Sequence, residues 1–140
     1  MYTRYLDSIT KERSSDYWSD LGIIEAMNLL DNFDGRDWRK LRQEISKFSS
    51  EIKIRCAETL IIYSKDAFEI LKELTLNSNA SVVIAAIDSL SSMTMDKDVL
   101  LLNVRDLSAI LNNVKSSFQF SGLERMVFDS FEFKLNELVG

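Results

Sequence analysis

Apolar residues recur every three or four positions along most of the chain, which is the spacing of one face of an α-helix. The pattern predicts helices over about 2–12, 17–32, 38–48, 51–64, 67–76, 81–93 and 105–116, and a last one from 121–124 to about 138. Residues 97–103 fit either a short helix or a packed connection. No segment requires a β-strand, so the prediction is an all-α fold of about seven or eight helices.

Polar clusters separate these segments and predict where helices begin. Asp16 or Asp20 is predicted to cap the second helix, Asp37 the third, Ser49-Ser50 the fourth and Asp66 the fifth, because a side-chain oxygen there accepts the free N–H groups of the first turn. Proline is absent and only four glycines occur, which is typical of helices joined by short connections.

Three stretches of the chain match one another at an offset of thirty residues. The matching positions carry a branched residue, a small residue and a leucine, namely Ile24, Ile54 and Ile84; Ala26, Cys56 and Ala86; and Leu30, Leu60 and Leu90. A polar residue also recurs, as Asn28, Glu58 and Asp88. The pattern favours stacked helix pairs, each burying one face against the next. The alternative is the accidental self-similarity of an antiparallel bundle with helices of equal length.

The segment IRCAETL at 54–60 resembles the second helix of a HEAT-type repeat, whose pattern is a branched residue, arginine, two small residues and then leucine. The segment IAAIDSL at 84–90 is similar but lacks the arginine, and the usual proline of the first helix is missing. The resemblance covers about residues 17–93. It implies a short α-solenoid of antiparallel helix pairs, with residues 1–140 as one helical-repeat domain.

Composition excludes several classes of function. Apolar residues make up 46% and charged residues 28% of the chain, as in an ordinary globular protein. No apolar run is long enough to cross a membrane and no secretory signal is visible, so we expect a cytoplasmic protein. Histidine is absent, which removes the commonest general base and metal ligand, and no glycine-rich phosphate loop occurs. We therefore expect a protein that is not an enzyme and has no catalytic residue, cofactor or metal.

The single cysteine, Cys56, has two interpretations. A reactive thiol needs exposure and a nearby cation, and Arg55 is adjacent in sequence but does not share its helix face. Its match with Ala26 and Ala86 favours a buried small residue. Asp31, Asp34 and Asp37 invite a comparison with a metal site, but they lack the spacing of a calcium loop, and helix capping accounts for them.

Charge is distributed in blocks, within a net charge of −5. Residues 14–37 hold six carboxylates and one arginine, whereas 38–55 are basic. Overall acidity disfavours nucleic acid and favours a basic protein partner. The predicted partner-binding residues are aromatic side chains beside the acidic block and carboxylates of the block and the repeat: Tyr17, Trp18, Asp20, Asp31, Asp34, Glu58 and Asp88. The alternative is a solvated charged face with the aromatic residues in the core.

In size, charge and style of repeat, the chain is similar to the immunity proteins of bacterial toxin systems, including contact-dependent growth inhibition. That resemblance implies an inhibitor that covers the active site of a basic toxin, often a nuclease, with carboxylates that mimic phosphates. The runner-up is an adaptor or assembly subunit that associates through the phenylalanine-rich C-terminal segment. The sequence leaves the partner, the binding face and the oligomeric state open.

Overall fold

The computed structural model describes residues 1–12 and 14–139, and the regular secondary structure of these residues is entirely helical. The helices are α1 (Tyr2–Thr10), α2 (Ser15–Tyr17), α3 (Ile23–Leu30), α4 (Gly35–Glu44), α5 (Ser50–Thr59), α6 (Lys65–Leu74), α7 (Ala80–Met93), α8 (Lys97–Leu102), α9 (Val104–Ser117) and α10 (Gly122–Val139). A π-helical turn, Trp18–Gly22, joins α2 to α3, and a 3₁₀ turn, Ile45–Lys47, follows α4. With the continuous run through α2 and α3 counted once, the described residues form nine helices and no strand. The all-α prediction is confirmed, and the ambiguous segment is the short helix α8.

Side-chain caps fix the helix starts a few residues before the predicted ones. The residues that accept N–H groups of a first turn are Ser14, Asp34, Ser49, Ser64, Asn79 and Asp96. At α4, Asp34 accepts from the N–H groups of Arg36 and Asp37, and the Asp37 carboxylate accepts from the Asp34 N–H at 3.0 Å. The predicted caps Asp16, Asp20, Asp37 and Asp66 were wrong, because a residue upstream already supplies the acceptor in each case, whereas Ser49 caps α5 as predicted.

Four helices, α3, α5, α7 and α10, contact one another in chain order, and we call them the central row. Ser89 of α7 donates to the Ala57 carbonyl of α5 at 2.6 Å, and Lys134 of α10 donates to the Ser91 carbonyl of α7 at 2.8 Å. Three further helices pack against this row, α1 against α3 and α5, α6 against α5 and α7, and α9 against α10, whereas α4 contacts α1. The buried side chains form one cluster that extends from Tyr2 to Leu135.

The small positions of the thirty-residue repeat occupy equivalent places in the central row. Ala26, Cys56 and Ala86 are each fully buried. The leucine position is also buried in the second and third copies, at Leu60 and Leu90. A small side chain at a helix contact lets neighbouring helices approach closely, so the recurrence of these residues has a packing cause.

The helical spacing of Leu21, Ile24, Met27 and Leu30 predicts the buried face of the first copy, and this prediction was partly wrong. Ile24 is 56% exposed, and Leu21 is also exposed. The buried line of this segment runs through Trp18, Gly22 and Ala26 instead. In the last helix, the apolar spacing of Leu123, Val127, Phe131 and Leu135 predicts an inward face, but Leu123 is 79% exposed, whereas Phe131 and Leu135 are buried as predicted.

Candidate functional site

A shallow groove of about 400 Å³ lies on the surface of the central row, and we call it the acidic groove. Its apolar lining comes from all four helices of the row and the residues just after α5: Ile23, Ile54, Ile61, Ile84, Ala85 and Val127. Its carboxylates come from three consecutive helices of the row: Glu58 on α5, Asp88 on α7 and Glu124 on α10. No lysine or arginine is among the described residues that line it.

Glu58 is held in place by a buried indole. The Nε1–H of Trp18 donates to Glu58 Oε1 at 3.1 Å, and Trp18 is only 5% exposed. The guanidinium carbon of Arg55 lies 5.2 Å from the centroid of the Trp18 ring, within the range of a cation–π contact. Arg55 is fixed in turn by the carbonyls of Ile9 and Lys11, to which it donates at 3.1 and 3.0 Å. The π-helical turn that contains Trp18 therefore orients a carboxylate of the groove.

The charge of Glu58 is incompletely compensated. Burial raises the pKa of its carboxyl above the ordinary value, and the negative charge of Asp88 raises it further. The hydrogen bond from Trp18 and the positive charge of Arg55 lower it, but the balance is upward. A partly desolvated carboxylate next to a second one is a favourable place for a cation supplied by another molecule.

The carboxylates of the groove are dispersed rather than convergent. No group of three or more Cys, Asp or Glu side chains in the described part of the chain is arranged to hold a metal ion. Carboxylates spread over three helices are suited to separate cationic side chains of a large partner. Within the same residues, no helix is both long and apolar enough to cross a bilayer.

Of the predicted partner-binding residues, only Glu58 and Asp88 line the acidic groove. Trp18 is buried, so its ring offers little surface to a partner, and its observed contact is with Glu58. Tyr17 is exposed and donates to Glu25 at 3.0 Å. Asp20 is exposed in the π-helical turn.

The remaining predicted carboxylates lie near the end of α3 and the start of α4. Asp31 lies at the edge of a separate cleft lined by Phe33, Trp38 and Tyr63, and Asp34 caps α4. The polar position of the first repeat does not reach the acidic groove either, because Asn28 lines a different depression, beside Arg4.

The sequence pattern did not identify Glu124, Ile54 or Ile84 as lining a binding groove. Ile54 and Ile84 were recognised as repeat positions but interpreted as buried, whereas both are half-buried and line the groove. Their spacing of four residues before Glu58 and Asp88 places each isoleucine on the same helix face as its carboxylate, which is a signal the sequence does contain. Glu124 falls outside the repeat and could not be found in that way.

Cys56 is a structural residue. Its side chain is fully buried, and burial raises the pKa of the thiol to about 12, above its ordinary value of 9.0. The Tyr5 hydroxyl lies 3.4 Å from the sulfur and 2.8 Å from the Thr59 hydroxyl. The interpretation as a buried small residue is confirmed.

Comparison with protein-family models, curated proteins and solved structures finds no match for this chain.

Proposed function

We propose that this protein is an immunity protein that binds a basic bacterial toxin, such as a nuclease, and covers its active site with the acidic groove. The observation that carries the proposal is the composition of the groove. Three carboxylates, Glu58, Asp88 and Glu124, line it together with apolar side chains such as Ile54 and Ile84, which we call its apolar floor. Complementary charge accelerates encounter and fixes register, and burial of the apolar floor supplies affinity. A cytoplasmic location, where such an inhibitor would meet the toxin, is part of the proposal.

The proposal includes a HEAT-like solenoid as the scaffold. The chain-order contacts of the central row and the equivalent burial of Ala26, Cys56 and Ala86 support stacked repeats. A row of this kind offers a surface that extends over several helices, and a groove across it can contact a folded partner without rearrangement.

Capture of a partner from lysate of the source cells tests the proposal. The tagged chain is compared with a double variant, Glu58→Lys and Asp88→Lys, and with a control, Glu73→Lys and Glu137→Lys, which reverses two exposed carboxylates that do not line the groove. We expect the native chain and the control to retain one basic protein that the groove variant loses. The captured protein, produced alone, should arrest bacterial growth, and co-production of the native chain or the control should restore it. Retention by the groove variant would refute the assignment of the surface.

A second candidate is an adaptor that assembles through α10. Leu123, Met126 and Phe133 lie along one side of this helix, and all three are more than half exposed. An exposed apolar stripe of this kind favours association. If capture recovers only the chain itself or a large assembly, and truncation of these side chains to alanine abolishes it, the adaptor becomes the preferred function.

A further inference from the structure

The acidic groove also restricts the conformation of what it binds. Its central walls lie within α5 and α7, where backbone N–H and C=O groups are already paired inside the helices. Among the serines that line the groove, the hydroxyl proton of Ser89 is already used in the hydrogen bond that it donates to the Ala57 carbonyl. An extended segment placed on this floor would lose much of its backbone hydration, and besides the three carboxylates and the hydroxyls of Ser81 and Ser92 the lining offers it no polar side chain to bond, whereas a helix pairs its own backbone.

The size of the groove agrees with one face of a helix. An α-helix of about 10–12 Å diameter that rises about 5.4 Å per turn occupies roughly 400–600 Å³ per turn. Two turns, about 11 Å long, therefore occupy roughly 800–1,200 Å³, and the groove of about 400 Å³ accommodates at most about half of that, the side chains of one helix face.

The carboxylates set the spacing of the partner's charges. Glu58 and Asp88 occupy equivalent repeat positions on neighbouring helices, and packed helices lie about 8–10 Å apart. At about 1.5 Å per residue, that distance corresponds to about five to seven residues of a crossing helix. Only a separation of seven, about 700° of rotation, returns to the same helix face.

We propose that the acidic groove binds an amphipathic α-helix of the protein partner, which crosses α5 and α7 and presents two cationic side chains seven residues apart. In the partner helix, the residues three and four positions after the first cation are apolar and face Ile54 and Ile84. This inference rests on the proposed function and names the part of the partner that the groove recognises.

Two synthetic helical peptides of identical composition and net charge test the inference with the full chain. In the first, two arginines are seven residues apart with two leucines between them; in the second, they are five residues apart, which is about 140° around the helix. We expect the first peptide to bind up to about fivefold more tightly by calorimetry, because the second can place only one arginine on a carboxylate and lacks one modest ion pair. In isoleucine-methyl NMR spectra it should shift Ile54, Ile61 and Ile84, which line the groove, and leave the buried Ile45 and Ile70 unchanged.

A double variant, Glu58→Gln and Asp88→Asn, should abolish the difference between the peptides, whereas the control, Glu73→Gln and Glu137→Gln, should preserve it. Equal affinities for the native chain, shifts confined to isoleucines outside the groove, or no binding at about 1 mM peptide would overturn the inference. If a basic protein is nevertheless captured through Glu58 and Asp88, the proposed function stands and the helical occupant is wrong. If the peptides behave as expected but no basic protein is captured, the proposed function fails.

Discussion

Replacement of Glu58 by glutamine should stabilise the isolated protein while it weakens partner binding. Glutamine retains an oxygen that can accept the Trp18 Nε1–H bond at 3.1 Å, and it removes a charge that burial and Asp88 disfavour. The gain is limited because Glu58 is only half-buried and Arg55 attracts it, so solvent screening reduces the effect to about 0.5 kcal/mol at pH 7. A change that increases stability and removes function is expected where a site holds an unfavourable charge for a partner.

The raised pKa of Glu58 determines how the stabilisation by Glu58→Gln depends on pH. The folded-state pKa of Glu58 is raised, so the folded protein holds that proton more tightly than the unfolded chain does. Protonated Glu58 stabilises the fold at pH values below its unfolded-state pKa of about 4.5. This contribution is lost as the pH rises through its folded-state pKa. The advantage of the Glu58→Gln variant should therefore be present at pH 7 and disappear near pH 4.

Urea unfolding at the two pH values measures both quantities. The control is Glu73→Gln, which removes an exposed carboxylate on α6 and should show no comparable change with pH. A Glu58→Gln variant that is less stable than the native chain at pH 7, or whose stability difference is the same at pH 4, would refute this reasoning.

Three further predictions concern the scaffold. The Cys56 thiol should not react with a thiol reagent in the folded chain and should react on unfolding, because it is fully buried and its pKa is about 12. Ala86→Leu should destabilise the fold by roughly 1–3 kcal/mol in urea unfolding, since the larger side chain must fit at a fully buried position of the central row. The control Ser130→Leu places a leucine at an exposed position and should have little effect. Gly122→Ala should cost about 1 kcal/mol, because Gly122 has φ +59° and no atom lies within 4 Å of an added Cβ, so the cost arises from backbone strain alone. An Ala variant as stable as the native chain would contradict that origin.

The periodicity of the sequence predicted the helices and the small positions of the repeat because both depend on local spacing. It did not predict which of two apolar lines in the first copy is buried. Leu21 and Ile24 form one line and Trp18, Gly22 and Ala26 another, and the choice depends on packing against α1 and α5. The aspartate caps were displaced by a few residues for a similar reason, since several neighbouring polar side chains can accept the same N–H groups, whereas Ser49 was predicted correctly.

The candidate site was predictable only in part. Glu58 and Asp88 share a repeat position, so their proximity followed from the stacking of equivalent helices. Asn28 did not join them, because the first helix of the row presents a different side to the groove. Glu124 belongs to a helix outside the repeat, and only the contact between α7 and α10 places it there.

Hydrogen exchange on the complex with the captured basic protein tests the central claim most directly. If the acidic groove is the binding surface, amide exchange should slow in α5, α7 and the first turns of α10 when the partner is added, with little change in α4 and α6. Slowing confined to α4 and α6, or to the second half of α10, would show that the partner binds elsewhere and would contradict the assignment of the groove.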